Sequence, residues 1–331
     1  MSTINSASTG TTREAQASSL LTDLYVSLRR SLQKWAAVTH QTPQPRMGYV
    51  GQHLVSVVTG HPGGRSGARG DDIKLPNGRT AEIKCCYRVD QLGICKKCGA
   101  KVASIEKVCP IAACGSREII RKDDSKWLLS PKSEEELRKL FEPEKYYFVL
   151  FEFTDMSAAD DIDVKIFEVN PRAIGFGLCV IDYYFNIRSK SKSAAPFNIW
   201  PGSLKFALMK PELIYWSIIK PDDSIETKTF PEAHKPMLQA VGLLQSYANS
   251  DTLTDDAIEE LAETLNVDVG DPALPKTKRK RREVLLAELQ KARELNKVSD
   301  SDLADTLARI ILRPRLEKRI NWVKEFAPEA G

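Results

Sequence analysis

Two groups of residues in this chain have the types and spacing that chemistry needs. The first is Gly70-Asp71-Asp72-Ile73, followed after a turn by Glu82-Ile83-Lys84. In an extended strand, residues two apart share a face. Glu82 and Lys84 are therefore neighbours, while Ile83 and Cys85 face the other way. Asn77-Gly78 between two short extended runs marks a hairpin that folds the aspartates back beside Glu82. Carboxylates converging next to a lysine form a small cation site. Hard oxygen ligands suit Mg²⁺, which keeps part of its water shell and binds phosphate oxygens. A lysine there can orient and activate a water for attack on phosphorus.

The turn decides which aspartate takes part. A three-residue loop, Pro76-Asn77-Gly78, puts Asp72 opposite Glu82 on one face. A two-residue loop, Asn77-Gly78, gives that face to Asp71, because one residue of register reverses every side chain. Proline before Asn-Gly fits the longer loop without excluding the shorter. An exposed hairpin with a cross-strand charge group has the same pattern. The preceding Arg65-Ser66-Gly67-Ala68-Arg69-Gly70 argues for more, since a flexible basic loop suits a phosphate backbone. Arg69 is expected to contact phosphate beside the acids, and Arg65 phosphate or a base edge.

The second group is Cys95-Lys96-Lys97-Cys98-Gly99 with Cys109-Pro110-Ile111-Ala112-Ala113-Cys114-Gly115. Thiolates from Cys95, Cys98, Cys109 and Cys114 suit tetrahedral Zn²⁺ in a closed, structural site. The segment is too small for a core of its own, so zinc would supply most of its folding energy. Lys96, Lys97, Lys101 and Lys107 decorate it, which fits a DNA-contacting finger and a bare stabilising clip equally well. Cys85, Cys86 and Cys179 read as packing residues, and so do His53 and Trp127, Trp200, Trp216 and Trp322.

These groups sit in a chain of 331 residues, 42% hydrophobic and 28% charged, with 48 Lys and Arg nearly cancelled by 44 Asp and Glu to leave +4. That composition excludes a disordered or collagen-like chain and a polybasic, histone-like one. No stretch approaches the roughly 20 apolar residues of a membrane span. Residues 1–16 lack the apolar segment of a secretory signal, so a soluble cytoplasmic protein is expected, with no membrane partner. There, clustered cysteines point to metal before disulfides.

The elements that must position the two groups follow from periodicity. After a flexible tail at 1–16, a helix is predicted over 17–39, with Leu20, Leu24, Leu28, Leu32 and Trp35 on one stripe. A second helix fits Tyr49–Val58. Ser133 opens a short helix through a capping box. Tyr146–Phe153 and Ile162–Val169 read as strands, and 172–188 as a helix despite Gly175 and Gly177. Helices follow at 254–265, 281–297, 300–312 with Ser299 as cap, and 315–326. The linker 267–278 leads into the basic run Lys276–Arg282, read as a solvated linker. The resulting division is a tail at 1–16, a domain at 17–250 carrying a zinc-binding segment at 93–118, and a helical region at 251–331.

The helix at 49–58, the hairpin with Asp72 and Glu82-Ile83-Lys84, and the buried strand at 146–153 resemble the PD-(D/E)XK nuclease superfamily, in particular type II restriction endonucleases. The run Gly48-Tyr49-Val50-Gly51-Gln52-His53-Leu54, the Gly/Arg loop and Trp127-Leu128-Leu129-Ser130 look like the MamI-type restriction enzymes. The resemblance implies an α/β (α+β) fold: a PD-(D/E)XK core with an inserted zinc-ribbon-like segment and a helical C-terminal region. It implies Mg²⁺-dependent double-strand cutting of DNA at a specific, palindromic site, leaving 5′ phosphates. Asp72 and Glu82 would hold the metal, and Lys84 would position the water. A homodimer is implied by two-fold symmetric sites, and a cognate DNA methyltransferase by the restriction setting. Two departures stand out. The family's Pro-Asp is Asp71-Asp72 here, and the first core helix offers Gln52 and His53 where many members carry an acid. Gln52 is accordingly read as a support of the metal site and a DNA contact. A non-enzymatic zinc-ribbon DNA-binding protein and a structure-specific repair or recombination nuclease are the alternatives.

Overall fold

The computed structural model describes residues 12–42, 46–64, 72–103, 106–121, 125–155, 160–191, 193, 194–201, 203–232, 237–238, 255–295 and 297–330. They divide into two compact units, the first made of residues 1–125, 147–167 and 214–236, the second of the rest.

The first unit opens on α1 (Arg13–Leu21), which takes in the last four residues of the expected tail because the Thr12 hydroxyl caps it by accepting from the Ala15 N–H. A π-helical turn, Thr22–Val26, joins it to α2 (Ser27–Thr39). That turn changes what the predicted stripe does. A π turn winds each residue less than the roughly 100° of an α-helix, so five of them rotate everything after them by nearly one residue. Ala17, Leu21, Tyr25, Val26 and Ala36 face the core, while Leu24, Leu28 and Trp35 of the stripe are 40%, 41% and 68% exposed.

Helix α3 (Met47–Thr59) buries Met47, Val50, Gly51, Leu54, Val55 and Val58, the spacing of one helical face, and stops at Gly60 in the left-handed region. Tyr49 and His53 fall on the opposite face. His53, expected to be packed, is exposed. Gly51 keeps the approach close: a Cβ there would lie a tight 3.2 Å from Cβ and Sγ of Cys85. The helix therefore seats directly on the sheet.

That sheet runs in the order β1 (Ile73–Lys74), β2 (Thr80–Tyr87), β7 (Lys145–Phe153), β8 (Ile162–Val169), β10 (Glu212–Ile219), β11 (Ile225–Thr229). Its α3-facing side and the first helices share one core, with Leu54, Val58, Ile73, Ala81, Val149, Phe151, Val164 and Tyr215 at or below 1% exposure. Between β2 and β7 the chain makes a separate three-stranded sheet, β4 (Lys101–Val102), β3 (Gly93–Cys95), β5 (Ile119–Arg121), which carries the cysteine segment.

The second unit pairs β6 (Trp127–Leu129) with β9 (Phe197–Ile199), and β12 (Met237–Leu238) with the first residues of β10. Its helices are α4 (Glu134–Lys139), α5 (Ile174–Asn186), α6 (Leu204–Leu208), α7 (Asp255–Thr264), α8 (Lys278–Glu294), α9 (Asp300–Leu312) and α10 (Ile320–Phe326). Helix α5 is buried on all sides from Ile174 to Phe185, Cys179 included. The glycines that weakened its prediction make this possible. A Cβ on Gly175 would sit 1.8 Å from the Leu208 carbonyl oxygen, and one on Gly177 2.9 Å from the Ala327 Cβ. Ser299 caps α9 through the Asp302 N–H, and Ser133 caps α4 through the Glu136 N–H. Trp127 is fully buried, whereas Trp200, Trp216 and Trp322 are only partly so. Among the described residues, no helix is long and apolar enough to cross a membrane.

Candidate functional site

The hairpin ladder pairs Ile73 with Ala81 and Lys74 with Thr80. Leu75 accepts from the Gly78 N–H at 3.0 Å and donates to the Arg79 carbonyl at 2.9 Å, so residues 76–78 form the loop. Continued by one step, this register sets Asp72 opposite Glu82. The Asp72 N–H bonds the Ala81 carbonyl at 3.2 Å, holding the aspartate to the end of the ladder.

Both Asp72 oxygens have partners. Oδ1 accepts from Nε2 of Gln52 at 2.7 Å, and Oδ2 accepts from the Ile83 N–H at 2.8 Å. Glu82 is paired with the Lys84 ammonium on its own strand. Partial burial raises the Asp72 pKa, the Ile83 N–H opposes this, and the Glu82 charge adds to it. The group thus combines two hard carboxylates, one cation and one amide on adjoining elements. Each carboxylate oxygen retains a lone pair after its hydrogen bond, so the donor set fits a small divalent cation that keeps several waters.

Asp71, Arg65 and Arg69 lie outside the described residues. Gln52 is brought to Asp72, and its side-chain N–H is engaged there. The polar face of β2 also extends further than the sequence indicated. Beyond Glu82 and Lys84 comes Cys86, whose Sγ lies 3.5 Å from Ser125 Oγ, and then Arg88. Arg88 reaches Glu152 at 3.7 Å, and Lys165 lies 3.5 Å from Glu152 and 2.8 Å from Asp163. The Trp216 indole donates to Asp163 at 2.8 Å. Burial raises the Glu152 carboxyl. The available signal was charge at alternate positions, Asp163 and Lys165, between apolar residues of β8. These charges satisfy one another and form a closed ion network.

The cysteine segment assembles its four thiols. The Sγ atoms of Cys95, Cys98, Cys109 and Cys114 all lie within 4.8 Å of one another, a grouping that could hold a metal ion. Cys95 and Cys114 approach to 3.6 Å, and Cys98 and Cys109 to 3.5 Å. Gly99 and Gly115, after the last cysteine of each knuckle, adopt positive φ of 73° and 53°. The Cys98 N–H, together with that of Lys97 and against the burial that opposes them, lowers the Cys95 thiol to about 6. Among the described residues, Cys95, Val102 and Cys109 form the buried core of this segment, with Ala100, Cys114 and Ile119 packed against it.

Comparison with known proteins gives two matches to the same group. The chain is 43% identical over 58 residues to "Type II restriction enzyme MamI" of Microbacterium ammoniaphilum, an alignment covering 16% of this chain and 19% of that protein. The chain thus spans about a fifth of the length of the curated relative it matches. No solved structure matches. The sequence model of the MamI restriction endonuclease family matches residues 34–245, well over half of the chain, and encloses α3, the hairpin and the four cysteines. On that match, the chain belongs to the MamI restriction endonuclease family.

Proposed function

We propose that this protein is a restriction endonuclease that hydrolyses double-stranded DNA with Mg²⁺ at the hairpin site, within a core of PD-(D/E)XK type. The observation that carries this reading is Asp72 facing Glu82 with Lys84 beside them, inside the region matched by the family. Asp72 and Glu82 would hold the metal. When bound, Mg²⁺ draws charge from the scissile phosphate and favours ionisation of water.

The chain's own residues do the rest. The Ile83 N–H and the Gln52 amide fix both Asp72 oxygens, which keeps the carboxylate oriented. Lys84, tethered to Glu82 and partly open to solvent, donates a hydrogen bond to the attacking water and opposes the charge growing on phosphate. Attack in line with the 3′ oxygen releases a 5′ phosphate. Arg69 is assigned to a phosphate near the cut, and Arg65 to a phosphate or a base edge. A palindromic site, a homodimer with one hairpin per strand, and a partner methyltransferase that protects the host's own sites complete the proposal. The four cysteines take a structural Zn²⁺ separate from the catalytic metal.

Digestion of several plasmids with Mg²⁺, followed by sequencing of the ends, tests this. Discrete fragments with 5′ phosphates at one repeated sequence are expected, and none in chelator. Intact plasmids in Mg²⁺ would overturn the enzymatic reading. Cuts at branched or nicked DNA alone would replace it with a structure-specific nuclease.

A further inference from the structure

We infer that the metal-loaded cysteine segment is a grip on the DNA phosphate backbone rather than only a clip. This rests on the reading that double-stranded DNA is the substrate. Among the described residues of 93–121, the exposed charged side chains are Lys96, Lys97, Lys101, Lys107, Arg117 and Glu118. Five cations therefore stand against one acid. Among the described residues, none of these five side chains forms a hydrogen bond or an ion pair, and the Lys97 contact with the Cys95 sulfur is made by its backbone N–H.

The segment's other described charges, Arg121 and Glu106, have partners. The Arg121 guanidinium bonds the carbonyl oxygens of Ala103, at 2.6 Å, and Glu106. The Glu106 carboxylate pairs with His40. The structure thus separates two sets of charges: one that fastens the segment and one left for solvent. Exposed cations in this excess, on a rigid support, are the footprint of a phosphate contact.

Placement agrees. The segment begins directly after β2, the strand that carries Glu82 and Lys84, and belongs to the same compact unit. Its rigidity depends on the four thiols, because three buried residues make its core. Metal binding also separates charge from geometry. Zinc with four thiolates carries about two negative charges, and the metal-free cysteines carry fewer. Stripping the metal makes the segment more positive. If charge alone attracted DNA, stripping would strengthen binding. If the arrangement matters, stripping weakens it.

The test uses the full chain and a 30-base-pair duplex of arbitrary sequence, in Ca²⁺, with binding measured against salt. Zinc content is followed by elemental analysis. The Lys96→Gln, Lys97→Gln double variant is expected to keep its zinc and bind at least about tenfold more weakly at 0.1 M salt. Its salt slope should fall by about one to two, one counterion term per lost contact. Cys98→Ser is expected to lose zinc and to bind more weakly than the parent despite its higher positive charge. Parent-like binding by the double variant at every salt overturns the inference. Loss of zinc from the double variant would assign the lysines to the metal site and overturn it equally. Failure of the nuclease reading is distinguishable: it appears as absence of cleavage in Mg²⁺, whatever the binding slopes show.

Discussion

Gln52 on α3 and Asp72 at the mouth of the hairpin, 20 residues apart in sequence, are joined by a hydrogen bond of 2.7 Å from Nε2 to Oδ1. Gly51 makes the reach possible, because its missing side chain lets α3 lie against Cys85. A neutral amide thus stands behind the aspartate. A donor to a charged acceptor contributes roughly 1.5–3 kcal/mol. Gln52→Leu is expected to raise the Mg²⁺ concentration for half-maximal cleavage about tenfold, with thermal stability little changed. A Mg²⁺ titration identical to the parent's would show that the amide does not position the carboxylate.

The raised pKa of Asp72 gives a signed pH dependence. A group whose pKa is higher in the folded state contributes stability that is full below its unfolded pKa, about 3.9. That contribution is lost as pH rises through the folded value. Asp72→Asn cannot ionise and escapes the loss, and the Gln52 amide can turn over to accept from it. Without added Mg²⁺, Asp72→Asn should melt above the parent at neutral pH, with the difference closing in acid. It should also be unable to cleave. Parent cleavage should begin to fail on acidification above the ordinary carboxylate range, where the proton competes with the metal. Melting curves at three pH values decide the matter, and an Asn variant less stable at pH 7 would contradict the argument.

Glu82→Ala and Lys84→Ala are each expected to lower cleavage by about a thousandfold or more, some 4 kcal/mol of barrier. Both side chains leave the core face of β2, so circular dichroism should remain that of the parent. Cleavage within tenfold of the parent by either variant would move the site elsewhere on the sheet.

Arg29 holds Asp90 through Nε at 2.6 Å and Nη2 at 3.0 Å, and the Tyr87 hydroxyl adds a bond of 3.2 Å. Asp90 is 7% exposed. Arg29→Met would leave a buried carboxylate without its cation, at a cost of about 3–5 kcal/mol. Adding Asp90→Asn removes the charge and tolerates the left-handed backbone at φ 54°. The double variant should therefore be more stable in urea than Arg29→Met alone. Simple additivity of the two changes would mean that the pair is not coupled.

The short-range signals were legible in the sequence. Asn77-Gly78, the Ser299 and Ser133 caps and the β8 strand at 162–169 appear where local chemistry put them. So did the gathering of Cys95, Cys98, Cys109 and Cys114, whose spacing leaves few other solutions. What was hidden depends on partners distant in the chain. His53 looked apolar-facing until the seat of α3 was fixed by Gly51 against Cys85. Gly175 and Gly177 looked like helix breakers, and their purpose appears only with the Leu208 carbonyl and Ala327 beside them. The choice between Asp72 and Asp71 on the face of Glu82 waited on the loop, because parity is a property of the pairing and not of either strand.

The π turn at Thr22–Val26 has a genetic consequence. Its wider winding absorbs one residue, so Arg29 faces Asp90 while Leu24 and Leu28 look outward. Loss of a single codon there would let α1 and α2 join as one α-helix, and four α residues turn the chain about as far as five π residues do, so everything after the deletion would keep its face. Leu28 would still look outward and Arg29 would still reach Asp90. A one-residue gap at this position in a related gene would therefore mark the loss of the π turn alone, with the seat of the first helices on the sheet preserved.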